Sequence, residues 1–93
     1  MDFFLKNIRE TLEAINKLID NNIFIVNTKR IRKCRNIKPS DRSKINFIWR
    51  SLEFLEKNGI LVPNGAVKPK NYNIKNQEKI DVDQYIGNLD KKR

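Results

Sequence analysis

The chain has 93 residues and 39% hydrophobic content, enough for one domain with a small core. Its net charge of +9 points to a polyanionic partner, nucleic acid before an anionic membrane surface; a basic protein with no such partner is the plainer alternative. One cysteine and no histidine exclude an intrachain disulfide, zinc-finger spacing and histidine acid–base work, and no apolar run approaches the ~18 residues of a membrane span.

Asp2 is placed to cap a first helix. Phe4, Ile8, Leu12, Ile15 and Ile19 then recur at helical spacing, widened by Leu5 and Leu18, while Lys6, Arg9, Glu10, Glu13, Asn16 and Lys17 take the other face. Asp20-Asn21-Asn22 ends this helix, because such side chains compete for backbone bonds. Ile23-Phe24-Ile25-Val26 is β-branched and aromatic and reads as a strand. Asn27 or Thr28 caps a short basic helix, Lys29 to Arg35. Its Ile31 and Cys34 face inward, and Ile37 plugs the turn from Asn36 to Pro39. Pro39 cannot continue the preceding helix and turns Lys38 away from helical angles.

Ser40 or Asp41 caps a longer helix. On it Ile45, Ile48, Leu52 and Leu55 repeat at three, four and three, a core stripe within about 80° of arc. Arg42, Ser43, Asn46, Arg50, Glu53 and Lys57 lie opposite. Phe47 and Phe54 share one flank and Trp49 takes the other; aromatics so placed are expected to pack against the core or a subunit interface before they stack on unpaired bases. Gly59 suits the left-handed position after the helix. Ile60-Leu61-Val62 reads as a strand, Pro63-Asn64-Gly65 as a turn, and Lys68 and Lys70 flank Pro69 near a loop tip. Asn71 to Ile74 alternates as a return strand. After a polar linker, Val82, Tyr85, Ile86 and Leu89 form a short apolar stripe behind a capping Asp81, and Asp90 to Arg93 reads as a frayed tail.

The order helix, strand, short helix, turn, long helix, strand, loop, strand resembles the winged helix-turn-helix DNA-binding superfamily, in its small archaeal, bacterial and viral forms. The resemblance covers roughly Leu5 to Ile74. Its most telling part is Leu52-Glu53-Phe54-Leu55-Glu56-Lys57-Asn58-Gly59-Ile60-Leu61, which matches a recognition helix running into a wing strand. It implies an α+β, mostly helical fold: a three-helix core with a small β-wing over residues 1–74, then a linker, a short C-terminal helix and a basic tail over 75–93. The short helix is unusually basic for the superfamily, and no one regulator family, operator or effector is implied.

Charge concentrates where such a fold meets DNA. Lys29 to Arg50 holds nine Lys and Arg against one acid, Asp41, which is +8 of the total. Concentrating one sign costs self-repulsion, which a phosphate backbone relieves through counterion release. Phosphate-contact candidates are Lys29, Arg30, Arg32, Lys33, Lys38 and Lys44. The resemblance places Arg42, Ser43, Asn46 and Arg50 at base-reading positions in the major groove, and Lys68 and Lys70 on the wing. Their plainer roles are contacts to phosphate or water.

Double-stranded DNA binding by a small transcription regulator is the expected function. Nucleoid, replication or partition DNA binding, an RNA- or ribosome-binding winged helix, and a protein-interaction module stay open. With only three glycines and no convincing pair of acids, the chain is not expected to be an enzyme, and no cofactor or metal is expected. Cys34 reads as a small core residue. The acidic Asp2 argues against a signal peptide, so a cytoplasmic place is expected, nucleoid-associated or viral intracellular. A homodimer is expected, because two apolar stripes need cover: the start of helix one at Phe3 and Phe4, and the C-terminal helix, which docks on its own first helix, on a partner's first helix or on its own twofold mate.

Overall fold

The computed structural model describes residues 3–65 and 70–91. The expected cap Asp2, the loop residues Lys68 and Pro69, and Lys92-Arg93 of the tail lie outside them. Four helices and one small antiparallel sheet follow in the order α1 (Phe3–Asp20), β1 (Ile25–Val26), α2 (Thr28–Cys34), α3 (Arg42–Lys57), β2 (Leu61–Pro63), β3 (Tyr72–Ile74) and α4 (Val82–Lys91). The class is α+β and mostly helical.

Helices α1, α2 and α3 end in the same way. Asn22, Asn36 and Gly59 each adopt positive φ, at 60°, 58° and 78°. The isoleucine that follows each of them donates its N–H back into the helix: Ile23 to Leu18, Ile37 to Arg32 and Ile60 to Leu55, at 2.9–3.0 Å. This is the Schellman arrangement, which satisfies carbonyls the helix leaves open. Asn tolerates the left-handed region better than most side chains and Gly enters it without penalty, so Asn-Ile, Asn-Ile and Gly-Ile are the stop signals in the sequence. The starts are capped by Asn27, whose Oδ1 accepts from the Arg30 N–H at 2.7 Å, and by Asp41, whose Oδ1 accepts from the Lys44 N–H at 3.2 Å. Of the two caps expected for each helix, Asn27 serves rather than Thr28, and Asp41 rather than Ser40.

The strand expected over Ile23 to Val26 is shortened to Ile25 and Val26, with the Phe24 carbonyl still accepting from the Ile74 N–H at 2.9 Å, because Ile23 is used to end α1. β3 lies between β1 and β2, with Val26 opposite Tyr72 and Leu61 opposite Ile74. Val26, Leu61, Tyr72 and Ile74 point into the core, while Ile25, Val62 and Asn73 point out. Pro63 sits on the edge strand β2, where its missing N–H costs the ladder nothing.

The core joins α1, α2 and α3 through Ile8, Leu12, Ile15, Ile31, Ile48, Leu52 and Leu55, all fully buried, and Val26, Leu61, Tyr72 and Ile74 of the sheet close it. Each such side chain contributes roughly 1.5–3 kcal/mol. Two stripes are rolled from their expected centres. On α1, Leu5 and Leu18 are buried while Phe4 is 39% exposed. On α3, Ser51 is buried and Ile45 only half-buried, so the inward face sits on Ile48, Ser51, Leu52 and Leu55. α4 docks on its own α1. Ile86 joins the core and Val82, Tyr85 and Leu89 pack against it, with an Arg9–Asp83 ion pair at 2.6 Å. Asn16 on α1 holds the approach to α4: its Nδ2 donates to the Ile80 carbonyl at 2.8 Å and its Oδ1 accepts from the Ile80 N–H at 2.9 Å.

Candidate nucleic-acid interface

The basic stretch runs along α2, the turn after it and α3, and its cations stand in three chemical situations. Arg35 and Lys44 are ion-paired. The Arg35 guanidinium meets Glu10 of α1 and is largely buried, and Lys44 lies 3.8 Å from Asp41. Arg30 and Arg32 are tethered to backbone. The Arg30 guanidinium donates to the Ile25 carbonyl at 2.6 Å, and that of Arg32 donates to the Ile37 carbonyl at 3.0 Å, bracing the turn. Lys29, Lys33, Lys38, Arg42 and Arg50 are exposed and have no ion pair among the described residues. Arg30 and Arg32 keep their charge as well, since a carbonyl accepts from a guanidinium without neutralising it, and Lys57 is also exposed without an ion pair among the described residues; such cations are free to displace counterions from phosphate.

Arg42, Ser43, Asn46 and Arg50 are all exposed on α3, within about 100° of helical arc. They stand opposite the buried Ile48, Leu52 and Leu55, which fix the roll of the helix and so present these four outward. Lys57 continues that face at its C-terminal end. Lys44 turns away from it. It shares a cleft between α1 and α3 with Phe3, Lys6, Arg35, Ser43 and Phe47.

The β2–β3 hairpin lies beside the C-terminal half of α3. Lys70 is drawn back onto α3: its Nζ is 3.2 Å from Glu56 Oε1 and 5.3 Å from the centre of the Tyr72 ring. The hydrogen bond to Glu56, foremost, and the Tyr72 side chain hold its pKa above the ordinary 10.5. Its charge is therefore already partnered. Asn71 at the foot of the hairpin accepts from Asn27 Nδ2 at 2.9 Å, so the residue that caps α2 also ties α2 to the hairpin. Sequence reasoning had Asn27 as a cap alone and missed this link. The signal was an asparagine, which has both a donor and an acceptor to spend.

The aromatics divide. Phe47 meets Phe3 edge-on at 4.7 Å between ring centres, and Phe54 meets Phe4 at 5.1 Å, so this flank packs as expected. Trp49 does not pack into the core of its own chain and is 45% exposed. Rolling α3 toward Ser51 is what lifts it out. Cys34 is half-buried against α1, its thiol 3.7 Å from the Ala14 carbonyl. Among the described residues, no cluster of three His, Cys, Asp or Glu is placed to hold a metal ion, and no helix is long and apolar enough to cross a membrane. Comparison of the chain with family models, with curated proteins and with solved structures returns no match.

Proposed function

We propose that this chain is a winged helix-turn-helix protein that binds double-stranded DNA, with α3 in the major groove, α2 and the turn on the phosphate backbone, and the β2–β3 hairpin as the wing. The role that fits its size is that of a small transcription regulator, a binding protein rather than an enzyme. The observation that carries the proposal is the sorting of charge. Seven exposed cations without ion pairs among the described residues lie on α2, the turn and α3 (Lys29, Arg30, Lys33, Lys38, Arg42, Arg50 and Lys57), and Arg42 and Arg50 share a helix face with Ser43 and Asn46. A helix of this length fits the groove, and Arg and Asn supply bidentate contacts to guanine and adenine. The element order and the β1-β3-β2 sheet support the same assignment.

The test is competitive binding to duplex DNA, duplex RNA and single strands at moderate salt. Preference for duplex DNA is the expected result. Equal affinity for all three would reduce the surface to generic electrostatics, and no affinity even at low salt would leave a protein-interaction module.

A further inference from the structure

Trp49 is the chain's one tryptophan and stands 45% exposed on α3. The helix buries the small polar Ser51 instead, at 2% exposure. None of the ring–ring contacts among the described residues involves the indole. Asn46 lies one turn before it, Arg50 follows it directly, and Arg42 is two turns before. Glu53, half-buried, lies one turn after, and Glu56 beyond it is already paired with Lys70. At 100° per residue Trp49 lies about 20° of helical arc from Arg42 and about 60° from Asn46, so a duplex that takes those side chains into its groove also meets the indole.

We propose that Trp49 is a base-contacting residue that packs its indole on thymine C5-methyl groups in the major groove of duplex DNA. The proposal rests on the duplex-binding assignment above. The chemistry is specific: the thymine methyl is the one apolar group that the four bases present in that groove, and apolar side chains read it by contact. The flanking Arg42 and Arg50 give the charge complementarity that brings such a surface onto DNA, while the indole adds discrimination that cations cannot.

The experiment compares an alternating dA·dT duplex of about 20 base pairs with its dA·dU counterpart, which differs only in lacking the methyls. Binding is followed by anisotropy of a labelled duplex and by the intrinsic fluorescence of Trp49. The full chain is expected to bind the uracil duplex several-fold more weakly, roughly fourfold for each methyl it covers. Its emission should shift on the thymine duplex. Trp49→Ala should bind the thymine duplex at least about fivefold more weakly and bind the two duplexes alike. Equal binding of both duplexes by the unaltered chain overturns the proposal and leaves duplex binding standing. So does a uracil penalty that persists undiminished in Trp49→Ala, which would trace to duplex shape. A fluorescence change that follows protein concentration alone would assign the indole to a second copy. An equal change on single-stranded thymine and uracil oligonucleotides would assign it to stacking on unpaired bases. Either result overturns the proposal, and absence of any duplex binding overturns it together with the assignment it rests on.

Discussion

Replacing Lys29, Lys33 and Lys38 together by alanine asks whether the structure has sorted the cations correctly. All three are exposed and lack an ion pair among the described residues, so the triple variant should keep its fold and lose charge alone. Each lysine that displaces a counterion from duplex DNA contributes about 0.9 to the slope of log affinity against log salt. Three contacts make about 2.7. Between about 50 and 200 mM salt the unaltered chain should therefore lose roughly 40-fold more affinity than the variant does. Lys70→Ala is the matched control, because that ammonium is already held 3.2 Å from Glu56 and is not free to displace a counterion from phosphate. Its slope should stay within about half a unit of the parent. Filter or anisotropy titrations at four or more salt concentrations give the slopes, with circular dichroism as the check on folding. An unchanged slope in the triple variant would refute the placement of the phosphate surface. A Lys70→Ala slope shifted as far as that of a single α2 lysine would refute the sorting by ion pairing.

Arg42→Ala and Arg50→Ala should each cost about 1–3 kcal/mol on a preferred duplex and relax preference at one position; loss that is uniform across sequences, measured with a randomised duplex pool, would reduce them to phosphate contacts. Asn16→Ala removes both hydrogen bonds to Ile80 and should destabilise the fold by roughly 2 kcal/mol in urea, since part-buried groups on both sides lose partners; a change under about 0.5 kcal/mol would mean that α4 is held by apolar packing alone. Stability should fall as pH rises above about 10. Lys70 has a pKa raised from 10.5 by Glu56 and Tyr72, and burial raises Tyr72 and Tyr85 from 10.0, so each contribution is complete below the unfolded value and is lost as pH climbs through the folded one; urea midpoints that rise between about pH 9 and 11 would contradict this. Sedimentation equilibrium at micromolar concentration should show the 11.1 kDa chain alone, with any self-association suppressed by Phe3→Ser; association that Phe3→Ser leaves unchanged would contradict it.

Element order was legible because each helix carried a stripe of the right period and a stop signal in the right place. The roll of each helix was less legible. Periodicity locates an apolar face to within one position, and neighbours decide the rest. On α3 the aromatic pair Phe47 and Phe54 is drawn toward Phe3 and Phe4, which turns Ser51 inward and Trp49 outward. That choice depends on where α1 crosses, a long-range fact that no local window contains. The basic stretch was legible as a stretch, but not residue by residue. Arg35 differs from Lys33 only because Glu10, 25 positions away, lies against it. Arg32 differs from Lys29 because its guanidinium reaches back to the turn it precedes. Ion pairing and backbone tethering are tertiary, and they decide which charges a phosphate can meet.

The same geometry bears on the expected homodimer. Of the two stripes that asked for cover, the C-terminal one is met by α1 of the same chain, through Ile86, Val82, Tyr85 and Leu89. What remains is the start of α1, where Phe3 is 60% exposed beside Phe47. A standard interface needs about 800 Å² from each partner, far more than one phenylalanine can offer. A second copy seated there must therefore take in the cleft around Phe3, and that cleft contains Lys6, Ser43 and Lys44. A twofold contact there would find Lys44 paired with Asp41 and Arg35 with Glu10, so its charge is largely balanced. It would also crowd Ser43 and the N-terminal end of α3, the end assigned to the major groove. Self-association through Phe3 and duplex binding then oppose each other, and linkage requires each to weaken the other by the same factor. A dimer that binds DNA cooperatively must use some other face, or be assembled by the duplex itself.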